Sequence, residues 1–297
     1  GIARAMVFAL RTSGAETLSC TANIFVGQTE APLLIKPFVG KMTQSELMAV
    51  MTGGFATVAG GVLAIYVNML QGVPGIAGHL VTASIMAAPC ALAISKLMYP
   101  ETGEPVTGGK VQINVERPDS NVIEAAARGA SEGMTLVLNI AAMLIGFVAL
   151  MALINALLGL LGAGIASIFN VDLNLSLQVL LGWTLSPLAW AMGVPWDEAG
   201  LVGQLLGEKL VLTELLAYLH LKGLLSSGTV VLSERSSVIA SYALCGFANV
   251  ASIGIQIGGI GGIAPERRGD LARLGLRAMS AGALVSCLSG TIAGMLV

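Results

Sequence analysis

Two glutamates sit where an apolar chain ordinarily has none. Glu30 lies between Gln28-Thr29 and Ala31-Pro32, and Glu214 between Leu212-Thr213 and Leu215-Leu216. A carboxylate at membrane depth is a functional candidate by default. It accepts hydrogen bonds strongly and often from two donors at once, so a ligand carrying several hydroxyl or amine groups would suit the pair. Gln28, Thr29, Asn249 and Ser252 add neutral donors and acceptors able to read a polar edge, and Phe55 and Phe247 offer faces for a planar ring. A second chemistry belongs to interrupted helices. They free backbone carbonyls, which bind sodium well beside a hydroxyl or an amide. Asn23, Val26, Thr57 and Val58 would supply these groups if the first hairpin tip meets the first helix break. The plainer reading is that all these groups satisfy one another and plug bends in the backbone. That accounts for one carboxylate better than for two at matching places.

The places do match. Gly54-Phe55-Ala56-Thr57-Val58-Ala59-Gly60 returns as Gly246-Phe247-Ala248-Asn249-Val250-Ala251-Ser252, Thr29-Glu30 returns as Thr213-Glu214, and Ser45-Glu46 returns as Ser233-Glu234. The offsets drift (184 for Thr-Glu, 188 for Ser-Glu, 192 for the Gly-Phe-Ala segment), as in a duplication with small insertions. Duplicated halves with broken, glycine-rich helices and buried carboxylates are the pattern of secondary transporters, with both carboxylates expected near the midplane.

Composition sets the solvent. Of 297 residues, 55% are hydrophobic and 11% charged, and the mean hydropathy is +0.85. Soluble domains carry about 25% charged residues, so this chain must sit in a lipid bilayer. A net charge of −2 without a basic stripe argues against nucleic acid as a partner. Cys20, Cys90, Cys245 and Cys287 lie in apolar runs without metal-ligand spacing, and His79 and His220 are isolated. The chain opens at Gly1 in a mixed polar-apolar segment without a signal peptide, and more chain is expected before it.

These constraints predict an all-α integral membrane protein built as an inverted repeat, each copy a re-entrant hairpin, a broken transmembrane helix and a transmembrane helix. Residues 1–18 read as an interfacial amphipathic helix with Arg4 and Arg11 on its polar side. Residues 19–98 form the first repeat. Its hairpin, 19–42, is too short and too polar to cross and return, and is tolerable only where protein or a water-filled cavity covers it. Its broken span, 44–70, carries Gly53, Gly54, Gly60 and Gly61, which predict an unwound centre; close helix packing through small residues is the alternative. Residues 99–133 read as a cytoplasmic loop and a surface helix capped by Asp119 or Ser120. Residues 134–196 hold a long scaffold span (134–164) and an interfacial element with Pro187 and Pro195, and residues 197–297 repeat the hairpin, broken span and span. An odd number of crossings separates the copies, so they run in opposite senses. Arginines at 267, 268, 273 and 277 and the basic residues Lys96, Lys110, Arg117 and Arg128 fall on one side, which the positive-inside rule makes cytoplasmic. The first hairpin then enters from the cytoplasm and the second from outside.

The polar motifs also carry a family resemblance. Asn23-Ile24-Phe25-Val26-Gly27-Gln28-Thr29-Glu30-Ala31-Pro32-Leu33 resembles the first-hairpin signature of concentrative nucleoside transporters. Gly246 to Gly254 (GFANVASIG) is similar to that family's second motif, and Leu206 to Tyr218 (LGEKLVLTELLAY) to its second hairpin. The likeness covers essentially the whole chain and corresponds to the later two-thirds of a family member, without the usual N-terminal spans. It implies a nucleoside symporter of the bacterial, sodium-coupled type, a homotrimer in the inner (plasma) membrane, with sodium as coupling ion rather than catalytic cofactor. Gln28, Thr29 and Glu30 would contact the base, Val62 would make an apolar contact, Glu214, Asn249 and Ser252 would contact the ribose, and Phe247 would lie beside the ligand. Asn23, Val26, Thr57 and Val58 would hold sodium. Thr213 stands where many members have asparagine, which bears on specificity, and Thr57 where serine is common, which keeps the hydroxyl.

The resulting expectation is import by alternating access, with hairpins and broken helices moving together and sodium ordering the first hairpin tip for the nucleoside. Proton coupling is the alternative, or a channel lined by the glycine-rich segments. An enzyme is not expected, because Glu30 and Glu214 have neither a metal motif nor a nucleophile motif beside them.

Overall fold

The chain folds into helices, several of which start on a side-chain cap in their local sequence. The structure, a computed structural model, describes residues 2–10, 12–108, 120–169, 175–227 and 232–297. No strand occurs among the described residues. Residues 1–112 and 181–297 pack as one unit and residues 113–180 as another.

The larger unit opens with α1 (Ile2–Leu10), then α2 (Gly14–Ala22). The interfacial helix anticipated over 1–18 is therefore two elements. Ser13 and Glu16 form a capping box that starts α2, with the Ser13 N–H donating to Glu16 Oε1 at 2.7 Å. Ala15, Glu16 and Thr17 are buried, so they belong to the first hairpin, which begins at residue 14 rather than 19. Arg11 lies outside the described residues. An irregular tip, 23–30, leads through a 3-10 turn (Ala31–Ile35) and the short α3 (Lys36–Val39) back out of the hairpin.

Helix α4 (Gln44–Ala56) starts on a second capping box, Thr43 with Glu46. In the second repeat the equivalent cap is Ser233, so Thr43 rather than Ser45 is its structural counterpart. Chain breaks at 57–59 and resumes as α5 (Gly60–Met69). All four glycines lie in helix, with the break between the two pairs. Gly53 and Gly54 stay helical and permit close approach: a Cβ would lie 2.7 Å from Cys20 Sγ at the first, and 2.7 Å from Gln256 Nε2 at the second. The unwinding falls between the pairs. Helix α6 (Ile76–Met98) follows, 23 residues and long enough to cross a bilayer.

In the smaller unit, α7 (Val122–Phe169) runs unbroken for 48 residues. The separate surface helix expected before residue 134 is simply its first turns, since Gly129 and Gly133 each cost about 1 kcal/mol relative to alanine but do not stop a helix. Its cap is Asn121, whose Oδ1 accepts from the Glu124 N–H at 2.9 Å. Asp119 lies outside the described residues, and Ser120 hydrogen-bonds Glu124 instead.

Helix α8 (Leu177–Ala191) and α9 (Trp196–Val211) meet at a bend of 116°. Helix α9 and α10 (Glu214–Ser227) are the arms of the second hairpin. The second broken helix is α11 (Glu234–Leu244) and α12 (Val250–Ile263), and α13 (Arg268–Leu296) closes the order.

The two repeats interlock. One apolar core joins the second hairpin and α11 to α5 and α6, through Tyr66, Leu80, Leu205, Tyr218 and Ile239; another joins the first hairpin and α4 to α12 and α13, through Ile35, Leu47, Phe55, Ile260 and Leu271. Each hairpin thus packs on the far half of the other repeat's broken helix. Lipid tails are as apolar as leucine, so such cores are held by close packing and buried polar bonds rather than by escape from water. The root of the first hairpin shows the polar part. Lys96 Nζ lies 2.8 Å from Glu16 Oε2, Ser13 Oγ donates to Glu46 Oε1 at 2.6 Å, and Lys96 Nζ donates to Ser45 Oγ at 2.9 Å. In the second repeat, Ser233 Oγ donates to Glu198 Oε2 at 2.9 Å, again tying a cap of one helix to the third residue of another.

Candidate functional site

Glu214 is the first residue of α10 and is 5% exposed. Two neutral donors converge on it. Tyr66 Oη, from α5, donates to Glu214 Oε1 at 2.9 Å, and Asn249 Nδ2, from the second break, donates to Glu214 Oε2 at 2.9 Å. The backbone N–H of Glu214 itself is a third donor, so about one of a carboxylate's four acceptor sites remains open. The Tyr66 ring is itself held against Tyr218, with centroids 4.4 Å apart.

Asn249 does two tasks. Its Oδ1 accepts from the Ser252 N–H at 2.8 Å and caps α12, while its amide reaches Glu214. Interruption of the helix at 245–249 makes this possible. Asn249 is in extended backbone, φ −139° and ψ 164°, and Gly246 turns the chain at φ +135°. A Cβ at Gly246 would stand 2.8 Å from Phe55 O and 2.9 Å from Ala56 O, so the two breaks cross back to back there. The Phe247 N–H donates to Thr57 O at 3.3 Å across the same crossing.

From Ser252 the polar row continues into the first hairpin. Gln28 Nε2 lies 3.4 Å from Ser252 Oγ, and Gln256 Nε2 donates to Gln28 Oε1 at 3.0 Å and to Met51 O at 3.1 Å. All of Gln28, Ser252 and Gln256 are buried. The structure therefore joins Glu214, Asn249, Ser252 and Gln28 of the expected residues into one buried row. Val62 and Phe247 are half-buried beside it, packed on the core that contains Tyr66. Thr29 is half-buried with its methyl toward α12, where a Cβ at Gly259 would meet it at 2.6 Å. Glu30 is exposed, its carboxylate folded over Gly27. The two glutamates, alike in sequence, thus have opposite surroundings, because Glu214 opens a helix against a broken helix while Glu30 precedes a 3-10 turn at the hairpin surface.

Of the four ion-site candidates, Asn23, Thr57 and Val58 are buried and Val26 is 38% exposed. Asn23 caps the end of α2, with its Nδ2 donating to Ser19 O at 3.2 Å. Asn23 Oδ1 and Ser19 Oγ are buried with no hydrogen-bond partner among the described residues. Thr57 Oγ1 donates to Gly53 O at 2.9 Å. Tip and break touch where the Gly60 N–H donates to Phe25 O at 3.1 Å.

Tyr66 and Gln256 join the site without belonging to any of the sequence motifs. Tyr66 falls one turn after Val62 on the same helical face, and its phenol is an isolated polar group in an apolar run; that is the one signal it gives. Gln256 is the same kind of signal in α12.

This arrangement resembles known proteins throughout. The profile of the family described as "Na+ dependent nucleoside transporter C-terminus" matches residues 79–294. An uncharacterized transporter of Haemophilus influenzae is 49% identical over 291 residues, spanning 97% of this chain and 67% of that protein. Sodium/nucleoside cotransporter 1 of Sus scrofa is 44% identical over 299 residues, 96% of this chain and 44% of that protein. Among solved structures, CNTnw in an inward-facing substrate-bound state superposes with a TM-score of 0.87 at 47% identity, covering 99% of this chain and 67% of that one. A doubly substituted variant of CNTnw in an outward-facing state gives 0.89 at 46% identity over the same shares.

Proposed function

The chain belongs to the family of Na+-dependent nucleoside transporters, and from that premise we propose that it imports nucleosides by sodium symport with alternating access. The observation that carries this reading is the buried row Gln28–Ser252–Asn249–Glu214–Tyr66. It joins acceptors and donors from the first hairpin, the second break and the second hairpin in one buried row, and leaves about one acceptor site of the carboxylate unclaimed. Glu214, Asn249 and Ser252 take the ribose hydroxyls, Gln28, Thr29 and Glu30 the base, Val62 makes an apolar contact, and Phe247 lies beside the ligand.

Sodium is the coupling ion in this reading, at Asn23, Val26, Thr57 and Val58. The support is Asn23 Oδ1, a buried acceptor with no donor, beside a hairpin tip in contact with a helix break. Buried oxygens without donors call for a cation or a water. The ion joins the first hairpin tip to the break, and so raises nucleoside affinity to the extent that it binds the nucleoside-competent state better. The protein works as a homotrimer in a bacterial inner membrane, as the family resemblance implies, with the first hairpin entering from the cytoplasm.

Uptake of labelled uridine by the intact protein in proteoliposomes tests this. Accumulation under an inward sodium gradient that collapses when choline replaces sodium at fixed pH is the expected result. Uptake that follows a proton gradient instead would remove the ion assignment and keep the solute, and passive equilibration without accumulation would favour a channel.

A further inference from the structure

Both breaks interrupt a helix between two apolar segments, and they differ in charge. At the first, carbonyls near the end of α4 take neutral donors: Gly53 O from Thr57 Oγ1, Met51 O from Gln256 Nε2, and Thr57 O from the Phe247 N–H. At the second, a lysine intervenes. Lys209, from the first arm of the second hairpin, is 1% exposed, and its Nζ donates to Ala243 O at 2.9 Å and to Ser286 Oγ at 2.9 Å. The Ser286 hydroxyl in turn donates to Cys245 O at 2.8 Å. Among the described residues the ammonium's hydrogen bonds go to a carbonyl and a hydroxyl, not to a carboxylate.

A buried ammonium without an ion-pair partner is costly, and a neutral side chain would pack there more cheaply. Two features here favour positive charge: the Glu214 carboxylate, beyond ion-pair distance but within electrostatic reach of the ammonium, and the helix end it touches. Helix α11 ends here, and its last carbonyls carry the negative end of the helix dipole with no intrahelical donor. Freed carbonyls at a broken helix attract a cation in the same way.

We propose that Lys209 is a tethered cation, which does at the second break what a diffusible cation does at the first, and that it is a positioning residue for the nucleoside site. The inference rests on the site reading given under Proposed function. Through Ala243 O, and through Ser286 to Cys245 O, the ammonium fixes the residues immediately before Gly246. That turn sets the direction of Phe247 and Asn249, and Asn249 holds Glu214. Lys209 and Glu214 belong to the same hairpin, so the lysine also clamps the second hairpin onto the break that its own glutamate needs.

Lys209→Met, Lys209→Ala and Ser286→Ala in the intact protein test the idea, with uridine affinity, sodium dependence and melting temperature as readouts. In Lys209→Met, uridine affinity falls about tenfold, while the sodium concentration for half-maximal uptake stays within about twofold. Lys209→Ala leaves a carbonyl-lined space. Methylammonium, which replaces the missing group, raises its uridine affinity and its melting temperature and leaves the wild type unchanged; tetramethylammonium, too large and without N–H donors, does neither. If Lys209→Met does not fold, Ser286→Ala keeps the lysine and removes the shared hydroxyl, and its uridine affinity falls about threefold. Wild-type affinity in Lys209→Met or in Ser286→Ala overturns the proposal, as does a folded Lys209→Ala that methylammonium does not stabilise. The melting-temperature readout needs no nucleoside, so it separates failure of this inference from failure of the transport reading, which a wild type without uptake would reveal.

Discussion

Replacing Glu214 by glutamine keeps the shape of the side chain and changes its hydrogen-bond arithmetic. The carboxylate now receives Tyr66 Oη on one oxygen and Asn249 Nδ2 on the other, each at 2.9 Å. A carboxamide has one oxygen to offer and presents an NH2 at the other position. If the oxygen stays with Asn249, the amide must donate to the Tyr66 oxygen, and the phenol proton loses its acceptor. Tyr66 is 1% exposed and stacked on Tyr218, so it cannot turn to water. An orphaned buried donor costs about 1–3 kcal/mol, and hydrogen bonds to a charged acceptor are worth about 1.5–3 kcal/mol. A ribose hydroxyl meeting a neutral amide also loses the charge-assisted part of its bond. We therefore expect a loss of at least about 1.4 kcal/mol in nucleoside binding, or tenfold in Kd. Isothermal titration of uridine into the detergent-solubilised intact protein at saturating sodium measures it. Tyr66→Phe completes a double-mutant cycle, with a coupling energy of about 0.5–3 kcal/mol expected for groups in one network. An unchanged Kd in Glu214→Gln would remove Glu214 from the site, and zero coupling to Tyr66→Phe would show that the hydrogen bond seen here does not shape it.

Other perturbations separate the parts of the argument. Asn23→Ala removes an oxygen that has no protein donor together with the amide that donates to Ser19 O, so stability should fall by about 0.5–1.5 kcal/mol, while the sodium concentration for half-maximal uptake rises about tenfold; a melting curve and a sodium titration of uptake check the two parts. Gly246→Ala puts a side chain at φ +135° and within 2.9 Å of two carbonyl oxygens, and should lower stability by about 1–3 kcal/mol or more, read as a fall in melting temperature. Lys96→Met leaves the buried Glu16 with the Ser13 N–H but without its counter-charge, at a cost of about 1–3 kcal/mol for a half-buried pair, so the first hairpin should lose protease protection before the rest of the chain. Glu101, in the loop after α6, is pushed toward neutrality by partial burial, but hydrogen bonds from Thr43 and the Gly103 N–H and the nearby Lys96 charge prevail and hold it below the usual carboxylate range. Its contribution is therefore present above the ordinary glutamate pKa and lost as pH falls through the lower folded value, and Glu101→Gln should flatten that part of an acid melting curve.

Much of this protein is legible without coordinates. The shortage of charge places it in a bilayer, and the recurrence of Gly-Phe-Ala and Thr-Glu divides it into two copies of hairpin, broken helix and helix. Those readings depend on composition and on spacing along one chain, which is what a sequence records. The interruption near Gly53-Gly54 and Gly60-Gly61 is readable too, but that Gly53 and Gly54 stay helical is not, because they make room for Cys20 and Gln256, neither of which is a sequence neighbour. The first hairpin starts five residues before the position that the sequence pattern suggests, since the capping box at Ser13 and Glu16 competes with an amphipathic pattern that runs through it. Only the tertiary structure could tell Glu214 from Glu30. Both follow a threonine in apolar surroundings, and what separates them is Tyr66, 148 residues away, and Asn249, 35 residues away. The same holds for Lys209, whose partners at Ala243 and Ser286 exist as a set only when the second hairpin, the second break and α13 have been packed together. Local sequence decides where helices start, stop and break, because capping and propensity act within a turn or two. A buried charge draws its meaning from the dipoles around it, and those are assembled by the fold.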